Sequence, residues 1–504
     1  MRKKNALKSS VIGLIAKICT IVLGFINTRV FMSQLGVEIK GINGILTNCL
    51  GLLQLAEMGI GSAIIFALYQ PLIDHNIKEI QILMRYYKKM YRVIGMTIIF
   101  LGSIMSLFLQ FIITDSTYSI TYIRIVFFIQ LGVTASTYFL AYKRNLLYAD
   151  QNMYISTIVD TIFYIVFTTG NIIFMYFFHS YILYLLMQVI QAVISNLTIN
   201  CICDKKYPYL KEKIEDKYEK IDELKRNVRD IVLDKIGAAI YGSTDNIIIS
   251  TFVGVVQVGY MSAYYQVLGI FNSLAMAITE PIQPILGNYV RDKKDSKAAY
   301  DLFLSYTFVR YCVANIFTVG MVVMVDLFIT IWLGDGYVLE DSIPIMIAVS
   351  MYISIVHGPT GEFIIALGLF KSNRNLSFGG IFINLVTSII LAKKYGTIGV
   401  LIGTAIAQVY YWIARTFIVY KNYFKRNAFE YILKNIMYIA VVIFDIKLIK
   451  ILSNVVILSN VYLSFVFKTG ITMLVCITSI VIFFFYTKEF RAALEIINNY
   501  KKKK

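Results

Sequence analysis

Long apolar runs separated by short polar segments set the pattern of this chain. Runs near 11–32, 42–68, 93–113, 119–141, 154–177, 180–202, 230–253, 257–280, 302–325, 343–366, 377–393, 396–420, 435–453 and 465–487 predict fourteen membrane-spanning helices, since a helix needs about 20 apolar residues to cross the hydrocarbon core. The run at 230–253 is unusually polar, and 435–453 ends on Lys447 and Lys450. The first run follows Met1-Arg2-Lys3-Lys4 and carries no small-residue cleavage site, so it reads as a first span rather than a removed leader. The polar stretch at 204–229 contains KKYPYLKEKIEDKYEKIDELKRNVR and separates two six-helix halves. The expected organisation is an N-terminal lobe over 1–203, a charged linker over 204–229, a C-terminal lobe over 230–420, and two further helices with a basic tail over 421–504. This is an all-α polytopic membrane protein.

Composition supports that reading. The 504 residues are 58% hydrophobic and 15% charged, against about 25% charged in soluble domains. The formal net charge of +18 therefore lacks the polar surface that a nucleic-acid binder displays. With the N-terminus inside, 36 of the 48 Lys and Arg fall in inner segments. Six fall outside: Lys40, Lys393, Lys394, Lys447, Lys450 and Lys468. Cationic loops resist translocation, so both termini are expected to be cytoplasmic. The linker then reads as a solvated inner-surface segment, and Lys501 to Lys504 as an inner-leaflet anchor for membrane lipids.

The two halves carry a repeat. Gly36-Val37-x-x-x-Gly41 at the first outer hairpin recurs as Gly254-Val255-x-x-x-Gly259 at the hairpin after span 7, 218 residues later. The same offset pairs Arg92 with Arg310. Both copies start on the cytoplasmic side, so the lobes are expected to be parallel repeats with a substrate site between them.

Six cations remain inside spans: Lys17, Arg29, Arg124, Lys235, Arg310 and Arg415. A charge at mid-bilayer costs roughly 2.5 to 3.5 kcal/mol on insertion scales, so such groups face a wet cavity or a partner. Lys17 and Arg310 lie toward the inner side, and Arg29 and Arg124 toward the outer. A ladder of positive charge suits an anionic group that travels across; local ion pairing, or snorkelling for Arg415, is the plainer alternative. The intramembrane acids are Glu57, Asp160, Asp234, Asp245 and Glu280. Glu57 is the candidate carboxylate for a coupling ion, H+ or Na+, with a salt bridge to Arg29 or Arg124 as its alternative. Asp245, in the polar patch Gly242-Ser243-Thr244-Asp245-Asn246, is expected to face the cavity.

Chemistry-bearing motifs are missing. No zinc-protease, nucleophile-elbow or phosphate-loop motif occurs, so no catalytic residue, metal or cofactor is expected. The six cysteines read as small buried hydrophobes, since Cys201-x-Cys203 has no second pair to complete a metal site.

The stretch LGFINTRVFMSQLGVEIKGINGILTNCLGLLQLAEMGIGSAIIFALYQPL (23–72), the block Leu146-Leu147-Tyr148-Ala149-Asp150-Gln151, and IGAAIYGSTDNIIISTFVGVVQVGYMSAYY (236–265) resemble Wzx-type polysaccharide flippases of the multidrug/oligosaccharidyl-lipid/polysaccharide (MOP) exporter superfamily. The resemblance runs over most of the chain and fades after about 420. It implies two six-helix lobes in a MATE-like V shape, with two extra C-terminal helices. It implies a cargo as well: an oligosaccharide repeat unit on undecaprenyl pyrophosphate, moved to the outer leaflet of a bacterial cytoplasmic membrane. Polysaccharide polymerase and glycosyltransferases are then the expected protein partners, and nucleic acid is not one. By position, Lys17, Arg29 and Arg124, with Arg310 and Asp245, are expected to meet the pyrophosphate or line its path. Near 360–374 many relatives have an Arg-Asp pair where this chain has Gly361-Glu362, which removes any role that pair has.

Three rivals belong to other classes. A cation-coupled multidrug exporter of the same fold calls for a carboxylate-dominated cavity. A polymerase or ligase needs a large outer loop, yet the segment 326–342 has about 17 residues and no Lys, Arg or His. A scaffold has no use for charges buried at several depths.

Overall fold

The computed structural model describes residues 2–54, 60–212, 244–279, 286, 296–455 and 458–493. Among these the regular structure is helical, without a strand. The chain divides into two compact units, Met1–Gly259 and Tyr260–Lys504. Nine helices among the described residues are long and apolar enough to cross a membrane. Large apolar side chains such as Leu14, Phe111, Phe177, Phe382 and Ile482 remain exposed on them, as a surface solvated by lipid requires.

In the first unit, α1 (Arg2–Leu35), α2 (Val37–Leu53), α3 (Ile60–Ile73), α4 (Ile77–Ile112), α5 (Ile120–Leu140), α6 (Arg144–Ala149), α7 (Met153–Phe178) and α8 (Tyr181–Lys206) follow in order. A helix described over 244–252 (α9) leads to α10 (Val255–Thr279). The apolar run at 42–68 is two helices on either side of 55–59. α4 starts 16 residues before the apolar run does. Asn76 caps it by accepting from the Glu79 amide at 3.2 Å, and Ile80, Leu83, Met84, Tyr87 and Tyr91 form a buried stripe at helical spacing. A polar triad binds three helices inside the unit: Gln130 of α5 donates to Asn43 of α2 and to Tyr181 of α8, at 2.9 and 2.8 Å. The block Leu146–Gln151 ends α6 and turns at Asp150 and Gln151, with Asp150 accepting from the Tyr207 hydroxyl at 2.6 Å and from Asn152.

The two Gly-Val motifs meet. Gly36 and Gly254 hold φ of +89° and +123°, a region that favours glycine, and each ends one helix and starts the next. A Cβ on Gly41 falls 2.1 Å from the Val255 carbonyl oxygen, and one on Gly259 falls 2.1 Å from the Val37 carbonyl oxygen. The contact is reciprocal, so the motifs are related by a local two-fold axis. Nearby, Ser250 donates to the Ile112 carbonyl and Thr114 to the Ser250 carbonyl, both at 2.7 Å. These contacts lie within the first unit, which runs to Gly259. Of the linker, α8 continues to Lys206 and a short 3-10 turn covers Pro208–Lys211; 213–243 lies outside the described residues.

The second unit comprises the rest of α10, then α11 (Ser296–Trp332), α12 (Ser342–Val356), α13 (Gly358–Ala366), α14 (Phe370–Val419), α15 (Phe429–Val455) and α16 (Val461–Phe484). The run at 343–366 is broken at His357, because Pro359 in the next turn has no N–H to continue the ladder. α14 has a non-helical Gly396, with φ 60° and ψ −136°, and folds back there into two antiparallel arms. Asn384 donates to Thr404 at 3.0 Å and Tyr411 to the Ser377 carbonyl at 2.9 Å across the hairpin. The two apolar runs at 377–393 and 396–420 are these arms. An aromatic core of Tyr300, Phe303, Phe363, Tyr420, Phe424 and Tyr431 fills the space between α11, α13, α14 and α15.

Candidate functional site

α1 carries Lys17 and Arg29, both exposed on its surface. At 1.5 Å and 100° per residue they stand about 18 Å apart along the axis and about 120° apart around it. They lie at different depths and do not share one stripe. Arg124, half-buried on α5, donates from Nε to the Ser106 carbonyl of α4 at 3.2 Å. Among the described residues, no carboxylate lies within ion-pair distance of these three cations. Asp245 is half-buried on α9, whose far end is tied to α4 as above. Glu57 and Glu280 lie outside the described residues, as do Asp234 and Lys235.

Arg310 behaves differently. It is 8% exposed, and Nη2 meets Glu362 of α13 at 2.9 Å. Tyr306, one turn before it on α11, donates to the other Glu362 oxygen at 2.8 Å and lies with its ring 5.2 Å from the guanidinium. Nη1 donates to the Ile355 carbonyl at 3.1 Å. Gly358 makes the arrangement possible, because a Cβ there lands 1.4 Å from Nη1. Beside it, Arg415 lies over the Tyr411 ring at 4.9 Å and against Gly361. His357 is buried and stacks on Trp412 at 4.0 Å. Gly361-Glu362, noted in the sequence as a departure, is thus the segment on which two guanidiniums rest, with Glu362 neutralising one of them.

The first unit holds a second ion pair, partly exposed, with the Asp160 side chain 41% accessible. Arg144, counted by sequence among loop cations, bonds Asp160 of α7 through both terminal nitrogens and donates to Asn196 of α8 at 3.1 Å. Ser195 donates to the same carboxylate at 2.8 Å. A cavity of about 310 Å³ opens beside the pair, lined also by Thr20, Tyr164 and Gln191. Sequence reasoning singled out Asp160 but missed its partner, because Arg144 lies on a separate short helix 16 residues earlier. It missed Asp445 altogether, an acid buried in the middle of the run at 435–453.

The cysteines divide. Cys49, Cys203 and Cys476 are buried and Cys19 and Cys312 half-buried, but Cys201 is exposed, because it sits on the outward face of α8. Among the described residues no group of three His, Cys, Asp or Glu side chains is placed to hold a metal.

Lys17, Arg29, Arg124 and Asp245 belong to the first unit and Arg310 to the second, where it is joined to Glu362 rather than to another candidate.

No family model and no curated protein matches this sequence. Solved structures do match. A structure described as the lipid II flippase MurJ in an inward closed conformation superposes with a TM-score of 0.71 at 14% identity, over 93% of this chain and 98% of that one. An inward-facing multidrug resistance MATE transporter of the MOP superfamily gives 0.57 at 13% identity, over 78% and 92%. A Vibrio cholerae MATE transporter gives 0.51 at 14% identity, over 84% and 98%. The chain has the fold that the MurJ lipid II flippase shares with the MATE transporters of the MOP superfamily.

Proposed function

We propose that this chain is a flippase that moves oligosaccharide repeat units on undecaprenyl pyrophosphate from the inner to the outer leaflet of a bacterial cytoplasmic membrane by alternating access. The products feed a capsular, exopolysaccharide or O-antigen-type polysaccharide. The observation that carries the proposal is the state of the α1 cations. Lys17 and Arg29 are exposed at two depths with no carboxylate at ion-pair distance among the described residues, whereas Arg310 and Arg144 are each neutralised by an acid. A cation kept at membrane depth without a partner is costly unless it meets an anion in use. A pyrophosphate is such an anion, and Lys17 and Arg29 meet it at two depths from different faces of α1 while the polyprenyl tail stays in lipid. The inside-negative potential favours outward movement by about 2.3 kcal/mol per charge per 100 mV. Likeness to a lipid II flippase over nearly the whole of both chains supports a lipid-linked cargo.

The MATE likeness favours a second reading, a cation-coupled exporter of drugs. Against it, the one carboxylate beside the described cavity of the first unit, Asp160, is already bound by Arg144. The test is a strain lacking the gene, complemented with wild type or with Lys17→Ala/Arg29→Ala, in which lipid-linked oligosaccharide on each leaflet is quantified. Accumulation on the inner leaflet with the double variant at normal abundance is expected. Normal glycan with loss of drug resistance would favour the exporter.

A further inference from the structure

Asp445 of α15 is fully buried, in a chain whose surroundings at that depth are lipid and helix. Its Oδ2 accepts from Asn315 Nδ2 of α11 and from Ser479 Oγ of α16, each at 2.8 Å. Its Oδ1 has no partner among the described residues, and neither has Asn315 Oδ1, although Asn315 is also fully buried. One turn along the same face of α11, the Thr318 hydroxyl is 4% exposed and likewise without a partner. The Cys476 thiol donates to the carboxylate, and the Tyr311 ring is the other titratable group facing it. No Lys or Arg among the described residues forms an ion pair with it.

Buried polar atoms are satisfied in more than nine cases in ten. Two acceptor oxygens are thus left over at one carboxylate–amide contact, with an unmatched hydroxyl one turn along α11. The covalent geometry of the Asn315 and Asp445 groups sets their second oxygens beside the contact they share. Along one side, the site is closed by a stack in which Tyr311 lies on Tyr438 at 4.2 Å and Phe484 packs on both. An isolated carboxylate here is opposed by the lost hydration of its charge. A proton on Oδ1 removes the charge but leaves the Asn315 and Thr318 oxygens unmet. Carboxylate, carbonyl and hydroxyl oxygens are the ligands that a hard cation takes.

We propose that Asp445, Asn315 and Thr318, with the Ser479 hydroxyl, form a sodium-binding site between α11, α15 and α16, in the C-terminal part of the chain. The site ties these helices to α11 when the ion is bound.

The measurement is the thermal unfolding of full-length purified protein in detergent, without cargo, so it stands apart from the flippase reading. Choline chloride is exchanged for sodium chloride at constant ionic strength, up to roughly 0.3 M. Since a ligand that binds only the folded state stabilises it in proportion to the logarithm of its concentration, the wild-type midpoint is expected to rise with sodium and not with choline. Asp445→Asn is expected to abolish the response, and Asn315→Leu to shift it to at least tenfold higher sodium. A wild-type midpoint indifferent to sodium overturns the proposal, as does an equal response in both variants. A pH response without a sodium response, lost in Asp445→Asn, makes Asp445 a proton site and also overturns it. If Asp445→Asn does not fold, Asn315→Leu and the wild-type titration decide.

Discussion

Substituting Gly41 by Ala tests the reciprocal glycine contact. The new methyl carbon lies 2.1 Å from the Val255 carbonyl oxygen and 3.0 Å from the Gly259 nitrogen. Both are backbone atoms on the next helix, so no side chain can rotate away. Ordinary contact needs more than 3 Å, and α2 and α10 must separate by about 1 Å, which costs roughly 1 to 3 kcal/mol as overpacking. Gly259→Ala meets the Val37 carbonyl in the same way and is expected to cost a similar amount. Once either methyl has parted the helices, the other finds room. The double variant is therefore expected to lose much less than the two singles combined, with a coupling of about 0.5 to 3 kcal/mol. Gly44→Ala is the control, because its methyl meets only a Val258 side-chain carbon at 3.6 Å. Equilibrium unfolding of the purified full-length protein by titration with SDS in mixed micelles reads all four. A Gly41→Ala protein no less stable than Gly44→Ala, or strictly additive singles, refutes the reasoning.

Removing the Glu362 charge with Glu362→Gln leaves the Arg310 guanidinium buried against Tyr306 without a counter-ion, and a loss of about 3 to 5 kcal/mol is expected in the same unfolding assay. The Arg310→Met/Glu362→Gln pair is expected to recover part of that loss, since neither charge then remains. Asp160→Asn in the first unit is expected to cost less, about 1 kcal/mol, because that pair is partly exposed, with Arg144→Gln added on top costing little more; additive losses would show that the two are not a unit. Glu38, which precedes the apolar part of α2, accepts from Ser116 Oγ at 2.7 Å and from the Thr117 amide and hydroxyl at 2.6 Å. Partial burial raises its carboxyl, but the Thr117 and Ser116 bonds outweigh this and hold it below the usual 4.5. A depressed folded-state value gives stability that is present above 4.5 and lost as pH falls through the lowered value. The protection factors of the 115–119 amides, corrected for the intrinsic pH dependence of exchange, are therefore expected to fall below about pH 4.5, and Glu38→Gln to show low protection at neutral pH.

Period and length of the apolar runs carried most of the secondary structure. The ends of α5, α7, α8 and α10 fall within about four residues of the runs that predict them, because lipid solvation demands apolar side chains all round such helices. Where a helix leaves the membrane, hydropathy stops reporting on it. The N-terminal turns of α4 are an amphipathic extension held by a capped start and a buried stripe, a signal carried by spacing rather than by mean hydropathy.

The sequence by itself determined an all-helical membrane chain and its repeat of Gly-Val motifs. Tertiary structure alone decided what each charge does. Arg310 and Arg144 differ from Lys17 and Arg29 in being less exposed and in having an acid within 3 Å or so, supplied by residues 52 positions downstream in one case and 16 in the other. Asp445 was passed over because its run reads as ordinary lipid-facing helix; its burial depends on Asn315 and Ser479, which are 130 and 34 residues away. The physical reason is common to all of these. Hydropathy is local in the chain, whereas the electrostatic state of a buried group is set by what folding brings beside it.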